Sequence, residues 1–328
     1  MLRRPTRLGR DPPEDMRRDD LSDLKVSVLI PTYRRHESLH ACLRALSLQV
    51  RAANQVVIVT RPEDTETHKT IERWQTTLPI DVQVVTLPGQ VQALNLGLSA
   101  IRGDIVCLTD DDTIPHTDWL SKIENHFARN PRLGGLGGRD IVTEHGATVP
   151  ATGARVGKIA WYGRLFGNHH LGAGSARAVD LLKGANMSFR SRAIQGNSFD
   201  TDLRGRGAQV HQEIGFCLRI QNAGWTLLYD PAVAVEHFPA PRHDSDQRGK
   251  PALEAVENAA FNLYVSLLRY LRPWWKNKAA LCWARIIGTP GVPGALRAAI
   301  MKVRGDTMGL ARRDAARRAW DAARSYPG

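Results

Sequence analysis

Over the first third of the chain, short apolar runs alternate with amphipathic stretches. Val26-Ser27-Val28-Leu29-Ile30 is closed by Pro31-Thr32-Tyr33, and an apolar run of this length bounded by turn residues reads as a buried strand. Helical periodicity follows over residues 37–48. The alternation repeats with Gln55-Val56-Val57-Ile58-Val59-Thr60 and a helix over 66–76, then Val82-Gln83-Val84-Val85 and a helix over 90–101. Asp104-Ile105-Val106-Cys107-Leu108-Thr109 is the fourth strand, and residues 119–129 form the helix beyond it. Strands alternating with helices of this length predict an α/β fold with a mostly parallel sheet covered on both faces. Ligands meet such sheets at the carboxyl ends of the strands, so loops 31–35, 60–65 and 110–113 are expected to converge on one edge.

The second half is less regular. Leu133-Gly134-Gly135-Leu136-Gly137-Gly138 lacks the lysine and helix start of a phosphate-binding loop and reads as a tight strand edge. Residues 143–180 have little periodicity and are rich in Gly, His and Ala, the pattern of a mobile surface segment acting as a lid or acceptor loop. Leu181 to Arg190 restores an apolar pattern. A helix over 212–223 is closed by Gly224 as its cap, and two strands follow, at 225–229 and, after Pro231, at 233–237. Leu253, Val256, Ala260, Leu263, Leu267 and Leu271 form one helical stripe that runs into Arg272-Pro273-Trp274-Trp275-Lys276.

With 328 residues and 42% hydrophobic content, the chain can bury one large domain plus an appendage, or two modest domains. Cys42, Cys107, Cys217 and Cys282 are widely spaced with no CxxC pair, which argues against a zinc site or a disulfide framework and for a reducing cytoplasm. The net charge of +12 is unevenly placed: residues 262–328 hold 13 Lys/Arg against 3 Asp/Glu, while residues 1–24 hold six of each sign. A near-neutral middle with a basic end excludes nucleic acid as the expected partner and favours an anionic membrane surface. Three regions are expected: a disordered leader at 1–24, a catalytic domain at 25–245 and a basic helical region at 246–328.

Arg285, Pro290, Pro293 and Arg297 break the apolar stretch at 279–301, so no spanning helix is expected there. Paired Trp beside Lys and Arg is the composition of a helix lying at a membrane interface, here the inner face of the cell membrane. A helix packed on the catalytic domain with a solvated basic face fits the same residues. Arg312-Arg313 and Arg317-Arg318, with Ala between, favour charge display over a tight core.

The chemistry concentrates at Asp110-Asp111-Asp112, at the end of the fourth strand. Adjacent carboxylates raise one another's pKa unless a cation or fixed donors compensate, so the triplet suits a metal and, through it, a phosphorylated substrate. A solvated acidic turn is the alternative.

Val-Ser-Val-Leu-Ile-Pro-Thr-Tyr at the first strand, Ala93-Leu94-Asn95-Leu96-Gly97, the Asp triplet, Gly184-Ala185-Asn186-Met187-Ser188-Phe189, Gln212-Glu213, Arg219, Gly224 and His237 follow in order. Over residues 26–237 the chain thereby resembles a family 2 glycosyltransferase with the nucleotide-sugar-binding GT-A fold. The resemblance implies inverting transfer of a sugar from a nucleotide diphosphate donor, a UDP-sugar being favoured. The acceptor is a hydroxyl on a glycan or lipid-linked molecule, in cell-surface or exopolysaccharide assembly.

It further implies a divalent cation, Mn²⁺ or Mg²⁺, held by Asp112 and His237, which offsets the charge of the departing diphosphate. Asp110 would hold the ribose or complete the outer shell. Asp111 is the least determined, because neighbouring side chains on extended backbone point to opposite faces. Glu213 takes the place of the base that deprotonates the acceptor, with a solvated Glu favoured by the helix dipole as the plainer reading. Pro31, Thr32 and Tyr33 bind the nucleotide. Thr60-Arg61-Pro62-Glu63-Asp64 replaces the acidic loop of many relatives, so Arg61 would meet the base or a phosphate and Asp64 would stand in for the missing carboxylate.

Leu94 occupies the place of an expected basic residue, leaving Asn95 either structural or donor-contacting. Gly184, Ala185 and Asn186 line the donor-sugar pocket, where close approach excludes bulk. Trp225 is a core residue or stacks on a sugar. Two rival functions fit parts of the pattern: nucleotidyl transfer, and a non-catalytic binding protein of the same fold in a membrane complex.

Overall fold

The computed structural model describes residues 24–144, 146–240 and 252–326. The expected leader lies outside the described residues except for Leu24, as does the boundary expected at 245–246. In chain order the elements are β1 (Val26–Pro31), α1 (His36–Ser47), β2 (Gln55–Thr60), α2 (Thr65–Trp74), β3 (Ile80–Val84), α3 (Gln90–Ser99), β4 (Ile105–Thr109), β5 (Thr113–Pro115) and α4 (Trp119–Arg129). Then come β6 (Leu133–Glu144), β7 (Ala147–Thr148), β8 (Lys158–Ile159), β9 (Leu165–Phe166), β10 (Arg177–Ala178), β11 (Asn186–Arg190), α5 (Ser191–Ile194), α6 (Gln212–Asn222) and β12 (Thr226–His237). Four helices close the chain: α7 (Leu253–Tyr270), α8 (Trp274–Ile286), α9 (Ala295–Val303) and α10 (Thr307–Ser325).

The main sheet runs β10-β12-β6-β11-β4-β1-β2-β3. β1 pairs in parallel with both β2 and β4, and β2 with β3. β11 enters antiparallel between β4 and β6. Every residue of β2 and β4 is buried, as expected when helices cover both faces. The period of two shows in the packing. Leu29, Val57, Val59, Val106 and Leu108 share one core with α3, α6 and α7, while Val28, Ile30, Ile58 and Cys107 share the other with α1 and α4. After β3 the chain crosses back to place β4 on the far side of β1, so the topological switch point, where open α/β sheets bind ligands, lies between β1 and β4.

Two expectations change. The glycine run is not a strand edge: β6 lies inside the sheet between β11 and β12. Its glycines make room for residues leaning across from the neighbouring strands. A Cβ on Gly134 would stand 2.5 Å from Trp225 Cβ, and one on Gly138 would stand 1.8 Å from the Val233 carbonyl oxygen. Trp225 is thus a core residue. The two strands expected at 225–229 and 233–237 are one strand, β12, whose register on β6 shifts between Asp230 and Ala234. Pro231 sits in that irregularity, where a residue lacking an N–H is tolerated.

Gly224 follows α6 with φ of +88° and donates its N–H to the Gln221 carbonyl, as expected of a helix-closing glycine. The irregular stretch before β11 is anchored to the core through Val156, Ile159, Val179 and Leu181, with Trp161 and Tyr162 exposed at the turn between β8 and β9.

Three of the four C-terminal helices, α7, α8 and α10, belong to the same core. Phe261, Tyr264 and Leu267 of α7 cluster with Phe216 of α6 and with Ala316, Ala319 and Ala323 of α10. Ala316, between the arginine pairs, and Ala319 and Ala323 beyond them therefore form a close helix contact, where charge display over a tight core is expected. The burial stripe also differs: Leu253 is exposed while Phe261 and Val265 are buried, because α7 is sandwiched between α6 and α10. Among the described residues no helix is long and apolar enough to cross a membrane.

Candidate active site

The acidic turn is built by a sharp reversal. β4 ends at Thr109, and β5 resumes at Thr113 to pair antiparallel with the end of β12, in register Thr113 to His237. The Thr109 and Thr113 hydroxyls are 2.7 Å apart, and Thr113 Oγ1 donates to the Asp110 carbonyl at 2.8 Å. The passing β12 end secures Asp112 twice: Phe238 N–H donates to its carbonyl, and Ala240 N–H to its Oδ2 at 2.9 Å. His237 Nε2 thereby faces Asp112 Oδ1 at 3.4 Å, and His237 Nδ1 faces Asp140 Oδ2 at 3.7 Å.

Asp110, Asp112 and His237 each offer one ligand atom, and these atoms all lie within 4.8 Å of one another. Both His237 ring nitrogens are buried without a hydrogen-bond partner among the described residues. Buried polar atoms are ordinarily satisfied, so the donor set, two carboxylates and an imidazole, fits a divalent cation.

The electrostatics follow from crowding. Burial tends to raise the Asp112 carboxyl, but His237, the Ala240 N–H and Arg35 outweigh it and hold the group below its ordinary value. Burial would lower His237, yet Asp112, Asp140 and Asp110 raise it to about 9. Asp110 is raised by burial and by Asp112. Burial raises Asp111 to about 7, with Arg35 pulling the other way. Asp140 is depressed to about 2, because His237 and Lys183 outweigh its burial.

Beside this cluster opens a cavity of about 460 Å³, lined by Pro31, Thr32, Tyr33, Arg61 and the Asp triplet from the expected site. Arg35, Val85, Pro88 and Gly89 leading into α3, Gln90 and Ala93 of α3, and the loop 206–208 form the rest of its walls. The Arg61 guanidinium lies 5.0 Å from the Tyr33 ring centroid, a cation–π distance. The three loops expected to converge do so at the switch point.

Four expected residues stand behind the cavity wall. Asp64 is buried; its Oδ2 accepts the Arg34 N–H at 2.5 Å and the Thr67 hydroxyl at 2.8 Å, so it shapes the first loop from beneath. The Asn95 amide is committed at both ends to the Phe199 backbone, at 2.9 and 2.8 Å. The Asn186 amide donates to the Val233 and Arg139 carbonyls and accepts the Trp119 indole N–H. Ala185 is buried and its carbonyl accepts the Thr109 hydroxyl. Gly184 differs, since a Cβ there would meet only open space.

Glu213 stands in the first turn of α6, partly buried. Burial raises its pKa; its own backbone N–H and Lys183 act against that, and Asp110 adds to it. Its electrostatic neighbours are therefore those of the acidic cluster.

Three residues at the site carried no role in the sequence reading. Arg35 Nη1 stands 2.9 Å from Asp111 Oδ1 and 3.6 Å from Asp112 Oδ2. Asp140, buried in β6, pairs with Lys183, the residue before Gly184. A carboxylate inside a glycine-rich buried strand was the available signal for Asp140. Its partner Lys183 is visible only once β6 and β11 are paired.

Residues 24–252 match the model of the family described as glycosyltransferase like family 2. The chain is a member of that family. Among solved structures, this family 2 glycosyltransferase is similar to residues 1–349 of TarS from S. aureus, a structure in complex with UDP-GlcNAc. The identity is 15%, the TM-score 0.59, and the match covers 80% of this chain and 72% of that one. It is also similar to the mannosyltransferase PcManGT from Pyrobaculum calidifontis in complex with GDP-Man and Mn²⁺, with 19% identity, a TM-score of 0.54, and coverage of 97% of this chain and 90% of the other. These likenesses show the GT-A fold of the family 2 chain. No curated protein sequence gives a match.

Proposed function

We propose that this family 2 glycosyltransferase moves one sugar, with inversion, from a nucleoside diphosphate donor to a hydroxyl of a glycan or lipid-linked acceptor. The observation that carries the reading is the Asp110, Asp112 and His237 cluster, with ligand atoms within 4.8 Å of one another beside the 460 Å³ cavity at the switch point. Asp112 and His237, with Asp110, would hold Mn²⁺ or Mg²⁺, which supplies Lewis-acid stabilisation of the diphosphate as it leaves. The Mn²⁺ in the PcManGT complex supports that choice.

The remaining chemistry belongs to the chain's own groups. Glu213 accepts the proton of the acceptor hydroxyl, whose oxygen forms the new bond to the anomeric carbon while the bond to the diphosphate breaks with its electron pair on the leaving group. A carboxylate raised by burial is the better matched to that task near neutral pH. Arg61 and Tyr33 present a cationic aromatic wall to the nucleotide. Arg35 holds Asp111 and Asp112 in place. The open space at Gly184 suits the donor sugar.

A UDP-sugar is the favoured donor; the fold accommodates UDP-GlcNAc in TarS and GDP-Man in PcManGT. Residues 25–245 would carry this chemistry, in cell-surface or exopolysaccharide assembly. The basic region 246–328 would meet an anionic membrane peripherally, at its inner face. Its charge and the exposed Trp274 and Trp275 support that contact.

Donor hydrolysis across a panel of UDP-, GDP- and dTDP-sugars, with Mn²⁺ and with chelator, tests the reading. The expected result is metal-dependent release of one nucleoside diphosphate and, with acceptor, an inverted product by NMR. Turnover unchanged by chelation removes the cation, and a retained anomeric configuration removes the mechanism.

A further inference from the structure

We propose that a second cavity, enclosed by α7, α8 and α10, is a binding site for a phosphate group held by Arg285, Arg313 and Arg317. The cavity measures about 200 Å³, and Tyr264, Trp320 and Asp321 complete its lining. All six residues lie beyond residue 252, where the family match ends. The site shares no lining residue with the donor cavity. Its volume is below the roughly 300–1,000 Å³ of pockets that enclose whole ligands, so it suits one anionic group of a larger molecule or a free anion.

The charge in this cavity is uncompensated. Arg313 and Arg317 stand one turn apart on α10, on the same face, and Arg285 approaches from α8. The neighbouring Arg318 is paired with Glu257 at 2.8 Å, whereas among the described residues no carboxylate lies within ion-pair distance of the three cavity arginines. Asp321 is the one carboxylate of the lining, leaving a balance of +2.

The donors are also held in position. The Arg285 guanidinium lies 4.5 Å from the Trp320 ring centroid, and Trp320 packs edge-on against Tyr264 at 5.3 Å. Trp320 Nε1, a group that can only donate, is buried without an acceptor among the described residues. Burial raises the Tyr264 phenol while Arg313 and Arg285 act against it, so both cations lie near its ring. Arginines merely solvated on a helix face would not converge from two helices on one cavity with one of them stacked on an indole.

The chemistry points to phosphate. The planar guanidinium fork matches phosphate oxygens in pairs, and three such forks line this one cavity. The surroundings favour a phosphate carried on an apolar body. Ile286 and Ile287, which follow Arg285, are exposed, and no residue of α9 is buried, leaving Leu296, Ile300 and Val303 open to solvent. A lipid headgroup and a free phosphate share the recognising chemistry. The lipid source rests on the membrane reading above, while the site itself does not.

The test uses the full chain with two probes: inorganic phosphate by titration calorimetry, and flotation with vesicles of phosphatidylcholine with or without phosphatidic acid. The Arg313→Gln/Arg317→Gln variant is compared with Lys302→Gln/Arg304→Gln, which removes the same charge from α9. The cavity variant is expected to weaken binding of at least one probe by about ten-fold or more, the scale of lost charge-assisted hydrogen bonds, with donor hydrolysis unchanged. Loss in the phosphate titration identifies free phosphate as sufficient, and loss confined to phosphatidic acid vesicles identifies the lipid source. Arg285→Lys keeps the charge but removes the fork and the Trp320 stack, and is expected to weaken the same probe should the double variant fold poorly by circular dichroism. Binding of neither probe, or equal loss in the α9 control, overturns the site.

Discussion

His237 Nε2 stands 3.4 Å from Asp112 Oδ1 because the strand that ends in His237 is paired with β5, the strand that leaves the acidic turn. The residue pair is thus made by sheet register, with Thr113 opposite His237. Asp140, from the adjacent strand β6, holds the other side of the ring at 3.7 Å. A carboxylate that orients a ligating imidazole in this way sets both its tautomer and its basicity.

Asp112→Asn is expected to abolish Mn²⁺ binding measured by calorimetry, together with metal-dependent donor hydrolysis. Asp140→Asn should leave the ligands in place and weaken the cation by about 10–100-fold, the usual effect of removing a carboxylate that orients a ligand. Equal Mn²⁺ affinity in wild type and Asp140→Asn would show that Asp140 serves Lys183 rather than His237.

Glu213→Gln should lower the transfer rate by about 10²–10⁴-fold, with little change in the donor KM. Because burial raises the Glu213 pKa, the acid limb of the rate profile should begin to fall at a higher pH than an ordinary carboxylate would give. The stability effect has the opposite sign. A carboxyl whose folded pKa is raised contributes stability that is complete below the unfolded pKa and is lost as pH rises through the folded one. Glu213→Gln should therefore melt higher than wild type at neutral pH, with the gap closing as pH falls below the carboxylate range. A melting curve with no pH-dependent gap would contradict the raised pKa.

Asn95→Ala separates scaffold from donor contact. Two hydrogen bonds to the Phe199 backbone are lost, at about 0.5–1.5 kcal/mol each, so denaturant titration should register a loss of about 1–3 kcal/mol. The donor KM of the folded variant should stay near wild type. A large KM increase with unchanged stability would return Asn95 to the donor site.

Gly138→Ala places a Cβ 1.8 Å from the Val233 carbonyl oxygen and 2.3 Å from Asn186 Nδ2. Neither neighbour can yield without breaking the β6–β12 register or the Asn186 amide contacts that tie β11 to it. A loss of at least the 1–3 kcal/mol typical of overpacking is expected, roughly, read from the urea midpoint. Gly184→Ala, facing open space, should leave stability unchanged while raising the donor KM.

Much of this was legible before any coordinates. The first four strands and helices lie within a few residues of their expected places, since strong hydrophobic periodicity and turn residues specify them locally. A glycine run carries no sign of which side chains lean over it, so β6 reads in the sequence as an edge, although it lies inside the sheet. Asn95 and Asn186 follow the motif pattern, yet the amide of Asn95 is committed to the Phe199 backbone and that of Asn186 to two backbone carbonyls and the Trp119 indole, a distinction that a motif does not contain. Asp140 and Lys183 were overlooked because the pairing that makes them partners connects strands distant in sequence.

Local pattern sufficed for the α/β class, the acidic turn at a strand end and the family. The first two depend on residues close together in the chain, through periodicity of two or 3.6 and one acidic turn, and the family on the order of several short motifs between residues 26 and 237. What surrounds the acidic turn was settled by tertiary contact. Strand register brought His237 and Asp140 to Asp112, and helix packing turned the alanines of α10 inward and gathered Arg285, Arg313 and Arg317 around one cavity. The burial that raises Asp111 to about 7, and the carboxylates of Asp112 and Asp140 that raise His237 to about 9 against its own burial, come together only once the sheet and its helices have closed.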